Sequence, residues 1–199
     1  MKKVEKLKKY IKCVYNFLAG HYYLWKYYDK KYTKNRWFDG KCGGLCSRGW
    51  KWIVDCAKGG KALRNVRQAP WPVDPRTNIV HASNIEFDYD DLNIFQSSGC
   101  YFQAHGKIII GKGTWIAPNV GLITSNHDLK DLNQHYPPQD IILGENCWVG
   151  MNSMILPGVK LGAHTVVGAG SVVTHSFPEG NCVIAGNPAK LIRKGVKGE

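Results

Sequence analysis

The residues best suited to chemistry gather around one short stretch, LITSNHDLK at residues 122–130. It holds Asn126, His127 and Asp128, and His135 follows in LNQHYPPQD. An imidazole titrates near neutrality, so it can take a proton from a hydroxyl and later return it. Asp128 is next to His127 in the chain, which does not by itself aim its carboxylate at the ring. His127 comes five positions after Leu122, close to a regular segment, while His135 lies deeper in an irregular one. Residue types alone leave both open. His81, His105, His164 and His175 add no close pair at the spacing of metal ligands. Cys42-x3-Cys46, taken with Cys56 and His21, is not a standard zinc set either, so no metal is expected.

The elements that must hold this stretch follow a six-residue repeat. The chain reads IGKGTW IAPNVG LITSNH from Ile110 and, after an interruption, LGENCW VGMNSM ILPGVK LGAHTV VGAGSV VTHSFP. The first positions are Ile110, Ile116, Leu122, Leu143, Val149, Ile155, Leu161, Val167 and Val173, all branched aliphatics. The second is mostly Gly or Ala, and the fifth is small or β-branched. A short strand, a tight turn and another strand satisfy this period. One such coil cannot bury its apolar side alone, so coils stack as a parallel β-helix. From Leu122 to Leu143 is 21 residues, where an unbroken repeat would use six. The coil therefore resumes in phase beneath an extruded loop near residues 123–142. Long loops on compact scaffolds often carry function.

IGENCWVG, ILPGVKLG, VVGAGSVVT and VIAGNPAKLIR resemble the hexapeptide-repeat acyltransferases. The branch they resemble contains galactoside, maltose and polysaccharide O-acetyltransferases. The likeness covers residues 84–194. It implies a mainly β chain, a left-handed parallel β-helix with an N-terminal helical and irregular extension. It also implies acetyl-CoA as donor, a carbohydrate acceptor and a homotrimer. Acyl transfer needs a base, because a protonated sugar hydroxyl is a poor nucleophile. The family's general base is a histidine after T-x-x, which corresponds to His127. Met151 corresponds to the backbone N–H facing the oxyanion, and Trp148 to an aromatic near the thioester arm. Ala169 and Thr174 correspond to the coenzyme A groove, and Lys190 and Arg193 to cations near its phosphates. His175 stands where many relatives have lysine. By position Ser97 and His105 correspond to the acceptor side, although their types differ from the family's. Cys147 fills a small-residue slot, so direct transfer without an acyl-enzyme is expected.

The remainder is less regular. Residues 1–36 carry 11 Lys and Arg against Glu5 and Asp29, which leaves only +3 of the net +12 for the rest of the chain. That distribution, without a recognition motif, argues against nucleic acid. Val4, Leu7, Ile11, Val14 and Leu18 recur at helical spacing, beside lysines and a Tyr/Trp cluster. Such a helix packs on the body or a partner subunit, or lies on an anionic membrane through residues 1–30. WKWIVDCA reads as a short buried strand. The expected division is 1–78 as a basic helical and loop-rich region, 79–183 as the β-helix and 184–199 as a tail. Seven cysteines and no apolar run after the charged start point to a reducing cytoplasm, with contact at the inner face of the plasma membrane. The leading functional reading is O-acetylation of a sugar, such as a cell-surface polysaccharide or its precursor. N-acetylation of an amino sugar, antibiotic acetylation, a non-catalytic scaffold and a three-histidine carbonic anhydrase are the alternatives.

Overall fold

The computed structural model describes residues 2–39, 44–62 and 68–195. It divides into two compact units, Met1–Pro75 and Arg76–Glu199.

The first unit pairs helices α1, Lys2–Tyr27, and α2, Arg48–Ala62. The strand expected at WKWIVDCA is the body of α2. Trp50, Ile53, Val54 and Ala57 are buried at steps of three, one and three, which is helical spacing. An eight-residue window held too little of that period to separate it from a short apolar strand. Gly20 on α1 admits the Trp50 ring, since a Cβ there would lie 2.8 Å from Trp50 Cε3. His21 stacks on the same ring at 4.1 Å between centroids.

The second unit winds in a fixed cycle through three sheets. The strands are β1 Asn78–Val80, β2 Ile85–Phe87, β3 Tyr101–Gln103, β4 Ile108–Ile110, β5 Trp115–Ile116, β6 Gly121–Ile123 and β7 Ile141–Leu143. They continue as β8 Trp148–Val149, β9 Met154–Ile155, β10 Lys160–Leu161, β11 Thr165–Val167, β12 Val172–Val173, β13 Cys182–Gly186 and β14 Ala189–Lys194. The first sheet runs β1-β3-β6-β9-β12, the second β10-β7-β4-β2 and the third β14-β13-β11-β8-β5. All pairs are parallel except β13 with β14, which returns residues 189–194 onto the third sheet. In the first coil a 3-10 helix, Tyr89–Gln96, takes the place of a third-sheet strand.

The repeat positions explain the winding. Leu122, Ile155 and Val173 pair in register in the first sheet, Ile110, Leu143 and Leu161 in the second, and Ile116, Val149 and Val167 in the third. All nine are buried. Thr114, Ser153, Thr165 and Ser171, at fifth positions, are also buried. Each donates its hydroxyl to a glycine carbonyl at 2.6–3.0 Å, so none of these four hydroxyls is stranded. Fourth positions turn the chain with positive φ, using Gly113, Gly158 and Gly170 or Asn119, Asn146, Asn152 and His164. Second positions admit the next coil: a Cβ on Gly144 would lie 2.5 Å from Ala163 N. The in-phase return from Leu122 to Leu143 is thus a real insertion at the corner between the first and second sheets.

Candidate active site

The inserted loop has a stem. Asp128 N donates to Gln134 O and Tyr136 N to Asn126 O, both at 2.9 Å, with an antiparallel bridge between His127 and His135. The stem is fastened to the coil beneath. Ser125 N donates to Gln103 Oε1 at 3.1 Å, Ser125 Oγ to Tyr136 O at 3.0 Å and Gln139 N to Thr124 O at 2.8 Å. Tethering on both sides holds the loop base against the β-helix, which suits a catalytic side chain.

His127 Nδ1 lies 2.8 Å from Leu132 O. A carbonyl only accepts, so Nδ1 carries the hydrogen and Nε2 is left as the acceptor on an exposed ring. The orienting group is a backbone carbonyl. Asp128 has another role: its Oδ1 accepts Lys130 N–H at 2.8 Å and shapes the turn.

The histidine spacing in the sequence concealed a cluster. His127 and His135 rings lie 4.0 Å apart between centroids, His135 and His105 6.3 Å, and His105 and His81 5.0 Å. His81, His105 and His127 follow the successive first-sheet strands β1, β3 and β6, and the loop stem returns His135 to the same corner. Variable insertions between coils blurred that period. Beside them is a cleft of about 510 Å³ lined by His105, Ser125, His135, Tyr136, Pro137 and Pro138. Among the described residues no group of three or more His, Cys, Asp or Glu is arranged to hold a metal ion. Cys42 lies outside the described residues.

The other candidates divide between corners. Thr174 follows β12 and shares the His127 corner. Its hydroxyl is 2.6 Å from His175 Nδ1. Met151 and Ala169 occupy the corner between the third and first sheets, in adjacent coils joined by Gly170 N donating to Met151 O at 2.8 Å. The Met151 N–H enters no hydrogen bond among the described residues. Trp148 stands on the third sheet, paired in register with Trp115, and both are more than half exposed. Lys190 and Arg193 are exposed on β14 of that sheet. Ser97 also lies between the third and first sheets, and its Oγ donates to Ile116 O at 2.6 Å. One chain therefore links His105 to His127 through His135, but sets Ser97, Trp148, Met151 and Ala169 on other parts of the prism. Cys147 is buried, and burial pushes its thiol up, away from the thiolate a nucleophile needs.

Residues 140–175 match the bacterial transferase hexapeptide model of six repeats. That segment of the second unit is built of hexapeptide repeats. A Saccharomyces cerevisiae protein provisionally named an acetyltransferase is 37% identical over 128 residues, covering 61% of this chain and 62% of that one. A Staphylococcus aureus protein with the same provisional name is 40% identical over 105 residues, covering 51% and 52%. The chain thus spans less than two thirds of these relatives. A galactoside acetyltransferase solved in complex with coenzyme A superposes with a TM-score of 0.54 at 22% identity, covering 92% of this chain and 82% of that one. At that identity the likeness concerns the fold, and it agrees with the left-handed β-helix that the family resemblance implies.

Proposed function

We propose that this hexapeptide-repeat chain is an acetyl-CoA-dependent O-acetyltransferase acting on a sugar hydroxyl of a cell-surface polysaccharide or its precursor. The observation that carries the reading is the His127 Nδ1 contact with Leu132 O, which leaves Nε2 as the acceptor on a ring 4.0 Å from that of His135, which lines the cleft. The provisional acetyltransferase names of its relatives support the reaction class.

His127 Nε2 takes the hydroxyl proton as the sugar oxygen bonds to the thioester carbonyl carbon. Met151 N–H donates to the oxygen that gains charge. The carbon–sulfur bond then breaks, and His127 returns the proton to the departing sulfur. The products are an ester and free coenzyme A, with no acyl-enzyme. The face suits the donor: exposed Trp148 and Trp115 offer aromatic surface, and Lys190 and Arg193 offer charge for phosphates. Because His127 and Met151 occupy different corners of one prism, the reading needs a neighbouring copy. A homotrimer with sites between subunits supplies it. A need for acetyl-CoA and free thiols favours a cytoplasmic reaction.

The test is incubation of the full chain with acetyl-CoA and a panel of oligosaccharides, amino sugars and hydroxylated antibiotics, following thiol release and product mass. An alkali-labile ester on a carbohydrate supports the proposal. An amide product would transfer it to amino-sugar N-acetylation, and failure to bind acetyl-CoA would leave a scaffold.

A further inference from the structure

Helix α1 has two apolar faces, and only one of them is packed. Gly20 and Leu24 are buried, and Cys13 and Phe17 half-buried, on the side where α1 meets Trp50. The stripe that dominates the sequence lies elsewhere. Val4, Leu7, Ile11, Leu18, Tyr22 and Trp25 are 51–75% exposed. At about 100° per residue these six fall within roughly 60° of arc, centred about 140° away from the packed face. The stripe runs about 32 Å along the helix. Of the partners expected for this stripe, α2 is not one: it takes the other face.

Charge selects what covers the stripe. Lys8, Lys12 and Lys26 border one edge of it and Lys3 the other, and all four are exposed. The described part of α1 carries Glu5 as its single acidic residue. A second α1 laid on this stripe would bring like charges together along its length. An anionic surface would meet cations on both sides of an apolar strip, with Tyr22 and Trp25 at the depth where amphipathic aromatics settle.

We infer that the exposed face of α1 is a docking surface for an anionic phospholipid bilayer, with the helix lying in the interface plane. No described helix is long and apolar enough to cross a membrane, so the contact is peripheral. This inference does not rest on the transferase reading, because every residue it uses lies in the first unit.

The test is flotation of the full chain with vesicles of phosphatidylcholine alone or with about 30% phosphatidylglycerol, at low and physiological salt. The chain is expected to float with the anionic vesicles, less at higher salt, and not with the neutral ones. Lys3→Gln with Lys8→Gln and Lys12→Gln should weaken partitioning roughly a hundredfold. Leu7→Glu with Ile11→Glu should abolish it while circular dichroism stays unchanged, since neither side chain is packed. No flotation with anionic vesicles, or equal flotation with neutral ones, would overturn the inference. So would sedimentation showing that Leu7→Glu with Ile11→Glu dissolves an oligomer of a chain that does not float, which would assign the stripe to a second copy.

Discussion

Replacing Ile155 with alanine tests the β-helix where its register is most exposed to error. Ile155 is fully buried in the first sheet, with Leu122 on one side and Val173 on the other. Alanine removes three carbons, about 2.4 kcal/mol at ~0.8 kcal/mol each. The coils on both sides are held by backbone pairing and cannot close the gap, so a cavity contribution adds. The expected loss is roughly 3–4 kcal/mol, inside the range for such core truncations. Met154, the preceding residue, points outward and is 37% exposed, so Met154→Ala should cost under about 1 kcal/mol. Hydrogen exchange of peptides within residues 141–175 reads the unit by itself. Ile155→Ala should speed their slowest exchange by more than about a hundredfold. Equal or reversed effects would refute the reasoning, because a slip of one residue turns every side chain to the other face.

Gly144→Ala should destabilise the unit severely, since its Cβ would meet the backbone at Ala163, whereas Gly170→Asn should be nearly neutral, because Asn119, Asn146 and Asn152 already occupy that turn position; thermal midpoints decide it. Burial raises the Cys147 thiol. Below the unfolded thiol's value, about 8.5, both states hold the proton; above it the unfolded chain ionises first, so stability falls with rising pH until the folded thiol also ionises. Urea midpoints should drop more between about pH 7 and 9.5 in the wild type than in Cys147→Ala, and identical slopes would count against that environment. Lys190→Gln with Arg193→Gln should raise KM for acetyl-CoA several-fold with little change in kcat, because exposed cations add binding through phosphate charge alone.

What was legible in the sequence was whatever repeats. The nine aliphatics, the small fifth positions and the phase kept across the loop all follow from one side chain per unit pointing inward. The loop's interior was not legible. Its stem depends on backbone bonds such as Asp128 N to Gln134 O, which carry no side-chain signature. His127 could be singled out by resemblance, yet its orienting partner, Leu132 O, is a main-chain atom that any residue supplies. The histidine corner was missed because His81, His105 and His127 follow equivalent strands at unequal separations. In the first unit the periodicity of α1 gave a helix and an apolar stripe. It could not say which of two apolar faces would meet α2, since that was settled by Gly20 making room for Trp50.

The central claim is that His127 is the base of a direct acetyl transfer. The most direct measurement is thiol release by His127→Ala against wild type, with acetyl-CoA and the best acceptor from the carbohydrate panel. His127→Ala is expected to lose roughly 10²–10⁴-fold in kcat while binding acetyl-CoA as tightly as before. Turnover within about threefold of wild type would contradict the account, because no catalytic base worth that factor would then reside at His127.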